Sequence, residues 1–337
     1  MSAASLPSAP WRRDAALIGL VGLAHAISHF SQLLLAPLFP WLKDAFGVSY
    51  AELGLLMTVF FSVSCAVQAA AGFWVDRYGP RPVLFVGLGC IVVAACGFAA
   101  STSYAMLASF SVVAGVGNGV FHPVDYTLFN RRLADARLGH AYSVHGVTGS
   151  LGWALAPALL VPLTMAYSWR VALLTAAALA ALVLALLVWQ RERLVLEAGA
   201  PRAAQRSAGA RAAALSEGTF DFLRIPAVWM CFAFFFFYAG ALSIVQTFGT
   251  QAARELHAVP ASLAATCLTI YMVCAACGMV IGGFLAVDPT RAERIVGVAF
   301  GFAALLALTL ALGEMPALAV PVIFGAMGVA AGIAGPS

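Results

Sequence analysis

His25 and His29, with Ser28 between them and Gln32 just beyond, stand in a stretch that is otherwise almost wholly apolar. Residues three or four apart share one face of a helix, so the two imidazoles lie side by side and Ser28 and Gln32 extend the polar stripe. Further along, His122 and Asp125 share a face in the same way. Imidazole changes charge near neutral pH. A carboxylate inside an apolar span is costly enough to be read as functional by default. Such a set can take up and release protons or hydrogen-bond a polar solute. The plainer alternative is that these groups only bond neighbouring helices, with Asp125 anchoring Arg131 or Arg132. A third reading is a metal site, since three His and an Asp are ligand types for a transition ion. The H-x-x-x-H spacing alone is a weak signal and no second histidine-rich helix follows, so no metal ligand and no cofactor is expected. His145, opening a later helix, and His257, in an outer loop, read as structural or solvated. Tyr238, Ser243, Gln246 and Thr247 are the polar residues of a later span that suit a pocket wall.

The elements that must hold these residues follow from composition. The chain is 63% hydrophobic and 9% charged, against about 25% charged in a soluble domain. A bilayer-spanning helix needs about 20 apolar residues. That length picks out ten segments, at 15–38, 51–73, 82–100, 105–129, 141–165, 169–189, 227–249, 261–287, 295–313 and 316–337. The fold expected is an all-α multi-pass membrane protein. Ser49 followed by Glu52 has the form of a capping box ahead of the second segment. The first segment follows Arg12 and Arg13 but is too long for a signal-peptide core, so it reads as an uncleaved span. The only long polar stretch, 190–226, is Arg-, Ala- and Gly-rich, the composition of a flexible linker. It separates a bundle over 1–189 from a second, incomplete one over 227–337.

Placing alternate loops on opposite sides puts 15 of the 18 Lys and Arg on one side, leaving Lys43, Arg170 and Arg254 on the other. By the positive-inside rule the N-terminus is cytoplasmic. The basic residues are dispersed among spans and form no single patch, so no nucleic-acid partner is expected. No phosphate-binding loop ending in Lys exists, so the chain carries no ATP-hydrolysis motif. All seven cysteines fall in apolar runs, against a disulfide framework. Cys274-x-x-Cys277 reads as helix packing before redox or metal chemistry.

The charged hinge Gly72-x-x-x-Asp76-Arg77-x-Gly79-x-Arg81 resembles the loop between helices 2 and 3 of the major facilitator superfamily. Ser28-His29-x-x-Gln32, Gln68 ahead of that hinge, and Gly119-Val120-Phe121-His122-Pro123 are similar to its fosmidomycin-resistance branch. Gly146, Gly149 and Gly152, followed by Pro157, form a looser version of the glycine-proline motif of its exporters, with altered spacing, and Trp169-Arg170 also recurs there. Internal repetition agrees with that fold. Lys43-Asp44 recurs as Arg254-Glu255, Gly72 as Gly283, and Gly119-x-x-x-Pro123 as Gly332-x-x-x-Pro336, each at nearly the same offset. By that repeat the counterpart of the sixth helix ends near residue 401, about 60 residues past Ser337, so the sequence reads as lacking helices 11 and 12. The resemblance implies two six-helix bundles, of which about ten helices are present. It further implies a monomeric transporter in a bacterial inner membrane, with a small-molecule substrate and protons as partners and the bilayer as surroundings. Proton-coupled efflux is the expectation, with import on the same fold as the alternative. The resemblance also assigns gating to Gly72, Asp76, Arg77, Gly79 and Arg81, and sets Asp76 against a helix 11 that this sequence does not contain.

Overall fold

Pro37 and Pro40 decide how the first span ends. A proline cannot donate to the preceding turn and its ring crowds it. Helix α1 (Trp11–Gln32) therefore stops short of the expected boundary. A 3-10 turn follows at Ala36–Leu38, then a separate short helix α2 (Phe39–Phe46), closed by Gly47 in the left-handed conformation at φ 63°. The computed structural model describes residues 11–196, 224–285 and 292–334.

The remaining helices are α3 (Tyr50–Tyr78), α4 (Pro80–Ala100), α5 (Tyr104–Asn118), α6 (Phe121–Arg132), α7 (Asp135–Ala166) and α8 (Trp169–Trp189), then α9 (Pro226–His257), α10 (Ala261–Leu285), α11 (Ala292–Leu312) and α12 (Val320–Ala334). Among the described residues every regular element is helical. Among the described residues nine spans are long and apolar enough to cross a bilayer, α1 with α2 and α5 with α6 each counting as one, and α12 is a shorter apolar helix. The expected capping box is present: Ser49 N donates to Glu52 Oε2 at 2.7 Å, and Glu52 N donates to Ser49 Oγ at 3.2 Å.

Two boundaries differ from expectation in ways that matter for the site. The segment expected to run unbroken over 105–129 is interrupted between α5 and α6. Pro123 has no N–H to return to the Gly119 carbonyl, and the ladder gives way there. Helix α7 begins six residues earlier than expected, so His145 lies well inside it. Arg254 and His257 are helical, as the last turn of α9. Of the repeat landmarks, Pro336 lies outside the described residues, and Gly283 falls within α10.

Helix α1 packs along α7, α4 lies between α5 and α8, and α10 pairs with α12. Small residues allow these approaches. A Cβ on Gly117 would stand 2.8 Å from the Gly87 carbonyl oxygen, so α4 and α5 touch backbone to backbone there. The buried apolar residues form two clusters. One gathers Leu17, Val21, Leu84, Phe121 and Phe129 from the first eight helices. The other joins Leu33–Leu42 and Leu53–Phe60 to Ala253, Leu268 and Phe324. The part after residue 226 thus contributes only to the cluster at the Lys43 and Arg254 end.

Candidate functional site

Four imidazoles and one carboxylate meet where α1, α6 and α7 converge. Asp125 on α6 is fully buried, and His25 on α1 and His145 on α7 are nearly so, at 1% and 5% exposure. One oxygen, Asp125 Oδ2, lies 3.0 Å from His145 Nε2 and 3.2 Å from His25 Nδ1. Only the contact with His145 has hydrogen-bond geometry; His25 Nδ1 and Asp125 Oδ1 are buried without a partner. The His25 and His145 rings stack with centroids 3.4 Å apart. His29 follows on α1 at 4.3 Å from His25, and His122 on α6 at 5.2 Å from it. His122 Nδ1 meets Gln68 Oε1 of α3 at 3.0 Å. An amide oxygen only accepts, so in this contact Nδ1 is the donor, and in the neutral ring Nε2 is then the acceptor.

The backbone makes room for this crowding. Gly149 on α7 lies directly beneath the rings: a Cβ there would sit 2.8 Å from His29 Nδ1 and 3.0 Å from His25 Nε2. Gly152, one turn on, faces the α1 backbone at Ala26, and a Cβ on Gly146 would stand 3.3 Å from Met279 Cε of α10. Pro157, with Pro162, lies inside α7. Below the rings, Asn118 Nδ2 donates to Ser28 Oγ at 2.8 Å and to the Ser28 carbonyl at 3.0 Å, while Ser64 Oγ donates to Asn118 Oδ1 at 2.9 Å. This buried amide ties α1, α3 and α5 together. Above them, Trp153 Nε1 donates to Gln32 Oε1 at 2.9 Å, and its ring lies 4.2 Å from that of His29.

The expected residues thus divide. His25, His29, His122 and Asp125 come together, with Gln32 at the margin. Tyr238 and Gln246 lie on α9, outside this group. Gln246 is buried with its amide 3.8 Å from Met272 Sδ, and Tyr238 lines an apolar cleft of about 620 Å³ with Phe300 and Tyr271. His145 is the main correction. Buried and bonded to Asp125, it is not solvated; placing the start of α7 too late hid it. Its spacing to Gly149 and Gly152 puts all three on one face, a signal already present in the sequence. Nor does Asp125 anchor an arginine. Arg131 reaches Asp76 at 3.3 Å, and Arg132 donates to the Val195 carbonyl. Asn118 and Trp153 are not legible in the sequence, because a lone amide or indole in an apolar run carries no spacing signal.

Of the hinge residues, Gly72, Asp76 and Arg77 belong to the end of α3, Gly79 joins the two helices, and Arg81 begins α4. Gly79 caps α3 with φ 84° and ψ 160°, a conformation almost confined to glycine. Gly72 faces open space, Arg77 lies over the Tyr78 ring at 5.3 Å, and Arg81 is half-buried in the first turn of α4. Near the same end, Arg137 of α7 pairs with Asp14 of α1.

A family model described as Major Facilitator Superfamily matches residues 21–337. The fosmidomycin resistance protein of Escherichia coli K12 is 26% identical over 201 residues, 57% of this chain and 48% of that protein. A multidrug resistance protein B homolog of Mycobacterium tuberculosis is 29% identical over 191 residues, 55% of this chain and 35% of that one. The chain thus spans about half the length, or less, of the curated relatives it matches. Among solved structures, a bacterial homolog of the human lysosomal transporter Spinster, in an inward-facing and occupied conformation, superposes with TM-score 0.73 at 17% identity, covering 98% of this chain and 74% of that one. A D-xylose-proton symporter gives 0.70 at 14% identity, covering 94% and 80%. With the family model matching all but the first twenty residues, the chain belongs to the Major Facilitator Superfamily of membrane transporters.

Proposed function

We propose that this protein is a secondary transporter of a bacterial inner membrane that exports a small organic solute by alternating access, coupled to proton entry. The observation that carries this reading is Asp125, fully buried within an apolar span and surrounded by imidazoles from two neighbouring helices and its own. Such a group costs several kcal/mol in a membrane segment and is read as functional by default. In this reading Asp125 with His25, His29, His122 and His145 is the coupling site. Gln32 and Trp153 border the solute path on one half, and Tyr238 and Gln246 border it on the other.

The protein acts as a monomer, with residues 1–189 as one bundle, 190–226 as a cytoplasmic linker and 227–337 belonging to the second bundle. The distribution of Lys and Arg puts the N-terminus and the Asp76 hinge in the cytoplasm. The two halves share buried apolar residues at the Lys43 and Arg254 end, which is then the outer end. Export is favoured over import by the relatives named for fosmidomycin and multidrug resistance.

The test is solute accumulation in cells, paired with uptake into everted vesicles under an imposed pH gradient. Expressing cells should hold less of an exported compound than controls, and Asp125→Asn should abolish gradient-driven uptake while the protein still reaches the membrane. Greater accumulation in expressing cells would make the protein an importer. Full activity in Asp125→Asn would remove the coupling site.

A further inference from the structure

We infer that the cluster at the junction of α1, α6 and α7 is also a binding site for one divalent first-row transition cation, held by Asp125, His25 and His145. Imidazole and carboxylate are ligand types for zinc, cobalt, nickel and copper, whereas calcium and magnesium require shells of oxygen. Candidate ligand atoms of Asp125, His25 and His145 all lie within 4.8 Å of one another. Tetrahedral coordination with arms of about 2.0–2.1 Å puts neighbouring ligand atoms about 3.3–3.4 Å apart. The carboxylate oxygen already stands 3.2 Å from one imidazole nitrogen and 3.0 Å from the other. Small outward movements of these groups make the space.

Two further observations point to a ligand. His25 Nδ1 and Asp125 Oδ1 are buried polar atoms with no hydrogen-bond partner, on side chains that are 2% and 0% exposed. Both would be engaged by an ion and its surroundings. His122 stands beside this set, its ligand atom within 4.8 Å of those of His25 and His29, with Nδ1 tied to Gln68. His122 and the 43%-exposed Tyr126 also form the less buried side of the cluster, by which an ion would enter. Seating the ion rotates the His145 ring away from the stacked contact with His25. A bound ion would pin α1, α6 and α7 together and occupy the carboxylate that the transport reading needs free. Metal is therefore expected to inhibit proton-driven export. Occupancy itself does not depend on whether transport runs on protons.

The experiment uses the full chain in detergent, with any polyhistidine tag removed and metal stripped by chelator, then titrated with Co²⁺ and displaced by Zn²⁺. One Co²⁺ per chain is expected, with X-ray absorption at the cobalt edge showing a nitrogen and oxygen shell that includes at least two imidazoles. Asp125→Asn and His145→Gln should each weaken binding about tenfold or more, while His140→Gln and His257→Gln bind as wild type. Absence of saturable binding by the wild type would overturn the assignment. So would sulfur in the shell, which would put the ion at the cysteines, or unchanged affinity in both cluster variants. If those variants do not fold, the wild-type absorption spectrum decides. Export in chelator-treated vesicles separates the two readings: export without Co²⁺ binding removes only the metal site, and binding without export removes only the transporter mechanism.

Discussion

At the scale of the residue, the site is governed by what is missing from α7 as much as by the groups on α1 and α6. Four imidazoles pack around one carboxylate because Gly149 presents no side chain beneath them. We expect Gly149→Ala to drive a methyl group into His29 and His25. Overpacking of this kind costs about 1–3 kcal/mol, so the protein should still insert and melt cooperatively, at a lower temperature. Transport should fall more sharply than stability, by about a hundredfold if the rings move by 1 Å. Vesicle uptake measured beside thermal melting checks this; equal small losses would show that the histidines tolerate displacement. His29→Ala tests the cluster from the other side. It removes the ring between His25 and Trp153 and should abolish export at normal surface expression, read as restored drug accumulation in cells.

At the scale of the element, two backbone devices aim the side chains. Pro123 separates α5 from α6 and so sets the direction in which His122 and Asp125 leave the chain. Alanine there would restore an N–H and remove a ring clash, changes worth up to about 3 kcal/mol in a helix interior. Pro123→Ala should therefore raise the melting temperature while lowering transport. A variant that is both more stable and fully active would show that the interruption has no part in positioning the site. Gly79 is the second device. Its φ of 84° with ψ of 160° costs other residues about 1–3 kcal/mol. Gly79→Ala should lower the melting temperature by a corresponding amount, and an unchanged melt would mean that the turn can adopt another conformation.

For the whole molecule, the question is how one half moves against the other. Asp76 and Arg131 form a pair whose side chains are 73% and 46% exposed. Exposed pairs contribute little to stability, so Asp76→Asn should leave the melting temperature unchanged. We expect it to slow turnover without abolishing solute binding, because the hinge would act on the exchange between states. Binding measured by equilibrium methods and transport measured in vesicles separate the two. Normal turnover would show that the movement does not use this charge. Besides the apolar cluster at the Lys43 and Arg254 end, the halves touch through small or slender groups: Gly146 against Met279, and Ser150 Oγ 3.3 Å from Met279 Sδ. These smaller contacts can part and reform with little loss of burial, as the alternating access proposed above would require.

Much of this was legible without coordinates because a bilayer imposes length and polarity on every crossing segment. The apolar spans, the capping box at Ser49 and the pairing of His25 with His29 on one face follow from spacing alone. So does the prominence of Asp125, since one acid in an apolar span stands out by cost. Position along a single helix, however, says nothing about which faces of different helices meet. Only tertiary structure brought His145 against Asp125, set Gly149 beneath both α1 histidines, turned Asn118 onto Ser28 and Ser64, and left Gln246 and Tyr238 outside the cluster. The local breaks at Pro37 and Pro123 divide the same way. Apolar length alone carried both spans across these prolines; proline chemistry explains why the ladder fails there, and the packing of neighbouring helices decides where the chain goes next.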